Sequence, residues 1–142
     1  MKLPRIVILL GYAGLIPFLA GPLWLTLMPQ SAPGWLDEVW LNYVALIAAF
    51  MAGTFWGFAL PACEGPQGVI GLGASAVLMM LAWAALWLPL HGALLGLAAV
   101  FILQVLADVW FERTLGSVEG YFRLRVILTA GAVLAIGWRL LI

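Results

Sequence analysis

The chain is short of charge, cysteine and histidine: of its 142 residues, 8% are Asp, Glu, Lys or Arg, with one Cys and one His. Each shortage excludes something. A single thiol, Cys63, cannot make an internal disulfide framework, and Cys63 with His91 is too small a set for a Cys/His zinc site. Soluble domains carry roughly a quarter charged residues. Six basic and six acidic side chains cannot cover a water-soluble globule of this size, and their zero balance offers no basic patch for nucleic acid. What the chain has in abundance is hydrocarbon, at 66% hydrophobic residues and a mean hydropathy of +1.17. Lipid is the solvent that suits this composition.

Five apolar stretches are each long enough to cross a bilayer, which takes about 20 helical residues. They cover residues 6–28, 39–60, 69–88, 93–111 and 122–141. The breaks between them have chemical causes, since Pro and Gly end helices and charges leave the hydrocarbon. Pro29 to Glu38 holds two prolines and the acidic pair Asp37 and Glu38; Pro61 to Gly68 holds two prolines and Glu64. Residues 89–92, Pro-Leu-His-Gly, read as a tight turn, and residues 112–121 carry charges and two glycines. A membrane barrel would need apolar and polar residues in alternation. The expectation is a single all-α domain, a polytopic bundle of five transmembrane helices.

Orientation follows from Lys and Arg, which favour cytoplasmic loops. With the N-terminus inside, Lys2, Arg5, Arg113, Arg123 and Arg125 are cytoplasmic and only Arg139 lies outside. The expected topology is N-in, C-out, which puts Cys63 in the reducing cytoplasm. A cleavable signal peptide is disfavoured, because the first apolar stretch runs through Pro17 and Pro22 without a small-x-small cleavage site. Those prolines predict a kinked, retained first helix. Trp24, Trp35, Trp40, Trp87 and Trp138 then fall near the outer interface and Trp110 near the inner one, as an aromatic belt. Trp56 and Trp83 lie deeper and read as packing residues.

Two patterns stand out inside the spans. The second span carries Ala45, Ala49, Gly53 and Gly57 at four-residue spacing, a small-residue stripe of the kind that lets membrane helices approach closely. It drifts about 40° per step, and serves packing within the chain or between copies. The fourth span ends with Gln104, Asp108 and Glu112, one helical turn apart along one face. An ionised carboxylate inside the membrane needs a partner. Arg123 and Arg125 enter from the same side, Arg113 is a third candidate, and Thr129 is placed to hydrogen-bond Gln104. Two readings of the cluster Gln104, Asp108, Arg123, Arg125 and Thr129 stay open. One is a staple between the last two helices; the other is a binding site for a proton, cation or ligand head group. No nucleophile–base pair, metal-ligand spacing or phosphate loop is present, so neither an enzyme nor a cofactor is expected.

Taken in order, several segments resemble a known family. They are Gly11-x-x-Gly14-Leu15-Ile16-Pro17-Phe18, Tyr43 with Phe50-x-x-Gly53-x-x-Trp56-Gly57, Gln104-x-x-x-Asp108, and Tyr121-Phe122-Arg123-x-Arg125-x-x-Leu128-Thr129. The chain resembles the transmembrane protein 69-like family, also called domain of unknown function 3429, over nearly its whole length. The resemblance implies a small polytopic protein of bacteria, with a mitochondrial relative in animals, and implies no activity. It raises the interest of Gln104, Asp108, Arg123, Arg125 and Trp56-Gly57. Where the family often has His before the Trp-Gly pair this chain has Phe55, so no haem or metal role carries over. Its usual Trp-Tyr before the arginines appears here as Tyr121-Phe122.

The reading that needs least is a non-enzymatic accessory, scaffold or assembly component of a bacterial inner membrane. It would work with a membrane-protein partner or a second copy. The alternative is a binder or carrier of a small hydrophobic ligand, lipid, quinone or ion at the polar cluster. A dry, fully paired Asp108 with no adjoining cavity excludes the alternative.

Overall fold

The computed structural model describes residues 4–114 and 120–142. Lys2, counted above for orientation, and Gly116, counted in the last connection, lie outside the described residues. Among the described residues six helices and one short turn follow in order: α1 (Arg5–Ala13), α2 (Leu15–Leu27), α3 (Leu36–Ala59), a 3-10 turn (Leu60–Ala62), α4 (Pro66–Ala85), α5 (Leu90–Thr114) and α6 (Tyr121–Leu141). With α1 and α2 taken together, five segments are long and apolar enough to cross a membrane. The protein is an all-α, multi-pass membrane bundle.

The helices differ in detail from the stretches read by hydropathy, and mostly at their beginnings. α3, α4 and α5 each start three residues before the predicted apolar run. Polar and proline residues supply the missing turn. Asp37 and Glu38 lie in the first turn of α3, where carboxylates suit the positive end of the helix dipole. Pro66 opens α4 at a position that has no N–H to lose. The predicted 89–92 turn is instead 86–89, so His91 and Gly92 belong to the first turn of α5, anchored by Ala93 N–H donating to the Pro89 carbonyl at 2.8 Å. At the start of α6, Gly120 takes φ 82°, a left-handed conformation that a side chain would strain.

The first span breaks at Gly14, between α1 and α2. Pro22, inside α2, cannot donate to the Phe18 carbonyl one turn earlier. That carbonyl accepts instead from the Trp40 indole at 3.0 Å. The Gly14 carbonyl accepts from the Tyr43 hydroxyl at 2.6 Å. The Trp40 indole therefore replaces the backbone donor that Pro22 lacks, and the Tyr43 hydroxyl adds a second tie from α3 to the irregular part of the first span. Trp40 is consequently buried and is no belt residue, and a side chain at Gly21 would sit 2.6 Å from its ring. Trp56 and Trp83 face outward, about half exposed, contrary to the packing role expected of them.

The small-residue stripe divides between two faces of α3. Ala45 is buried and Ala49 partly so, but Gly53 and Gly57 look away from the bundle, with open space where a side chain would begin. The face of α3 that packs within the chain carries Ala45, Ala48, Ala52, Phe55 and Ala59, alternating three- and four-residue steps around the true helical repeat. It meets Gly68, Gly71, Ser75, Leu78, Ala82 and Ala85 of α4. Gly71 is tightly placed, since a methyl group there would lie 2.7 Å from the Ala59 side chain. Ser75 donates to the Ala52 carbonyl at 2.8 Å. Two apolar clusters result, one around Phe18, Val44, Leu97 and Phe101 and the other around Phe55, Leu78 and Phe111. A polar layer lies between them.

Candidate functional site

The polar layer is built from one face of α5 and one face of α6. Gln104 and Asp108 are one turn apart on α5; Arg125 and Thr129 are one turn apart on α6, and all four are buried. Because the helices run antiparallel, pairing Asp108 with Arg125 puts Gln104 and Thr129 at one level, a turn deeper. α5 extends to Thr114, so Asp108 sits about 9 Å inside the helix end, deeper than the hydropathy boundary implied.

Of the two arginines proposed on this side, only one enters. Arg125 Nε lies 2.7 Å from Asp108 Oδ1, with the two side chains 3% and 5% exposed. Arg123, two residues away, is exposed, because two residues turn a helix by about 200°. Arg113 is exposed as well, and neither joins the cluster. The expected Gln104–Thr129 hydrogen bond is absent. Gln104 Nε2 donates to the Ala48 carbonyl of α3 at 2.6 Å, which turns Gln104 into a brace between α3 and α5.

The pair is close but not ideally formed. The Arg125 Nε–H is poorly aligned with the carboxylate, and among the described residues Asp108 Oδ2, Arg125 Nη2, Gln104 Oε1 and Thr129 Oγ1 have no hydrogen-bond partner. Arg125 is instead drawn toward α3. Its Nη1 donates to Thr54 Oγ1 at 2.6 Å, to the Met51 carbonyl at 3.0 Å and to the Tyr121 hydroxyl at 3.2 Å. Its guanidinium carbon also lies 4.7 Å from the centre of the Phe55 ring, within cation–π range. Phe55 in turn stacks on Phe111 with centroids 4.5 Å apart and planes within 4°. A planar cation capped by an aromatic face thus links α3, α5 and α6.

Next to Arg125, on the side away from Asp108, is a cavity of about 360 Å³. The break in the first span, α3 and α6 line it, and it opens outward past the exposed side chains of Leu10 and Phe50. Gly11, Gly14 and Phe18 lie on one side, Ile47 and Met51 on another, and Leu124 and Leu128 on a third. Thr54, Tyr121 and Arg125 form its polar end; the remaining wall is hydrocarbon. Among the described residues Arg125 is the single charged side chain in this wall, and its partner Asp108 is not part of it. No group of three or more metal-ligating His, Cys, Asp or Glu residues occurs among the described residues.

Met51, Thr54, Phe55 and Tyr121 complete the site, and the residue types alone did not single them out. Phe55 stands where the resemblance placed a histidine, and its partner is the guanidinium. Trp56, the conspicuous neighbour, points outward. Thr54 had a usable signal, since one turn of helix separates it from Met51 and a hydroxyl at that depth in lipid must find a partner.

At the opposite end of the bundle a second pair forms. Arg139 Nε and Nη2 donate to Asp37 Oδ1 and Oδ2, each at 2.8 Å, so the guanidinium and carboxylate meet two to two.

Fold and site define a small multi-pass helical membrane protein with one ion pair sealed inside its bundle beside an apolar cavity. The chain belongs to the family described as Protein of unknown function (DUF3429), whose model matches residues 3–141. Searches of curated proteins and of solved structures gave no match.

Proposed function

We propose that the protein is a non-enzymatic, membrane-embedded binder of one small hydrophobic ligand, held in the cavity between the first span, α3 and α6. One observation carries this reading: an otherwise apolar cavity ends at Thr54, Tyr121 and the guanidinium-bearing side chain of Arg125. A volume near 360 Å³ falls in the lower part of the range for small-molecule sites, about 300–1,000 Å³. A few polar groups at one end of an apolar wall is the usual composition of such sites. We assign the protein to a bacterial inner membrane, N-terminus in the cytoplasm, in line with the distribution of its basic residues and its resemblance to the transmembrane protein 69-like family.

Native mass spectrometry from a mild detergent tests the reading. The expected result is a stoichiometric small molecule on the wild type that is lost in Ile47→Trp, where an indole fills the cavity from α3. A wild type that carries no ligand and takes up none from added lipid extract overturns it.

A second reading, an accessory or assembly component, is supported by Gly53 and Gly57, whose outward faces are open to a neighbouring helix from a partner or a second copy. Under it, Gly57→Leu abolishes co-purification of that neighbour and leaves the cavity ligand in place.

A further inference from the structure

Resting on the binding reading above, we infer that the cavity takes a neutral amphiphile: a hydrocarbon chain or ring bearing one uncharged oxygen acceptor, such as a carbonyl or hydroxyl. Charge balance is the first reason. Among the described residues Arg125 is the single charged side chain in the cavity wall, and Asp108 matches it one to one at 2.7 Å. An anionic head group would add an unbalanced negative charge beside a wall that is mostly hydrocarbon, and a cationic one would face the guanidinium; neither is easily tolerated in a low dielectric.

Hydrogen bonding is the second reason. Arg125 Nη1 has two hydrogens for three acceptors, the Met51 carbonyl, Thr54 Oγ1 and Tyr121 hydroxyl. Its partners are therefore exchangeable, and a ligand oxygen can displace the longest contact, the 3.2 Å one to Tyr121. One neutral acceptor is enough for that exchange.

Shape is the third. From Ile47 to Thr54 on α3, and from Tyr121 to Leu128 on α6, the cavity runs about 10 Å along the helices. Its polar end lies toward the bundle end that carries the amino terminus, and its hydrocarbon end toward the middle. This is the order in which a single-chain amphiphile lies in one leaflet. A two-chain phospholipid with a charged head matches neither the volume nor the charge.

The test uses the full chain in discs of zwitterionic lipid. Three probes of the same medium chain length, an alcohol, a sulfonate and an amine, are titrated with correction for partition into empty discs. The alcohol is expected to bind saturably and at least about tenfold more tightly than either charged probe. A sulfonate or amine that binds as tightly overturns the inference and leaves the binding reading standing. If none of the three binds and no small molecule accompanies the purified protein, the binding reading itself falls; a dimer whose second copy fills the cavity is one form of that outcome.

Asp108→Asn supplies the second arm by leaving the guanidinium uncompensated. The preference should then turn to the sulfonate, by at least about tenfold relative to wild type. An Asp108→Asn protein that keeps the wild-type ranking overturns the charge argument. Should that variant fail to fold, the neutral pair Asp108→Asn with Arg125→Gln replaces it. The neutral pair must keep the alcohol first, and a switch to either charged probe overturns the inference.

Discussion

The two Arg–Asp pairs, built from the same side chains, are opposites in construction. Arg139 and Asp37 meet at the end of the bundle, 14% and 36% exposed, with both carboxylate oxygens engaged. Arg125 and Asp108 meet in its interior with one close contact, a misaligned N–H and an oxygen left over. A pair that served only to staple helices would show the better geometry where desolvation is costlier. The reverse holds here. The interior guanidinium is shared among Asp108, three α3 and α6 acceptors and the Phe55 ring, and it ends at a cavity. The edge pair is thus organised around its own two members, whereas the interior guanidinium is shared with acceptors on α3 and α6 and borders the cavity wall.

The sharpest way to break this comparison is to remove one interior charge. Arg125→Gln leaves Asp108 buried and uncompensated, and should cost about 3–5 kcal/mol, read as a large drop in thermal unfolding temperature in detergent. Unchanged stability would mean that Asp108 reaches water or is neutral, and the contrast with the edge pair would disappear. Neutralising both members separates charge from shape: Asp108→Asn with Arg125→Gln should recover most of that loss, because replacing a whole buried pair is far milder than breaking one. A double variant no more stable than Arg125→Gln alone would assign the loss to packing.

Smaller effects sharpen it. Thr54→Ala removes the shortest Nη1 contact and should cost about 1–2 kcal/mol, with the Ser75→Ala loss at the α3–α4 seam as a reference of the same kind. At the edge, Arg139→Gln should cost less than about 1 kcal/mol and less still at high salt. An edge loss as large as the interior one, measured in the same detergent, would erase the distinction between the two sites.

Much of this arrangement was legible along the chain, and what was not has a consistent cause. Asp108 needed a cation from the next helix, and Arg125 is that cation. Choosing between Arg123 and Arg125 required the rotation of α6, which its largely apolar surface does not reveal. The same uncertainty left open which face of α3 packs within the chain, where Ala48 and Ala52 face the bundle and Gly53 and Gly57 look outward. It also moved Trp40 into the interior, because the Phe18 carbonyl left without a donor by Pro22 needed an indole. Phe55 looked like the loss of a family histidine, and only its neighbours Phe111 and Arg125 give it a role.

By itself the sequence determined that the chain is helical, crosses a membrane five times and must pair its interior carboxylate. Those properties follow from bilayer thickness, from the need to satisfy the backbone internally and from the cost of bare charge, all of which act locally on a segment. Only the tertiary structure decided which arginine enters, which small residues touch and where a cavity remains. A helix that is apolar nearly all round carries little record of which side its neighbours occupy. That side is set by packing and hydrogen bonds between segments far apart in the chain.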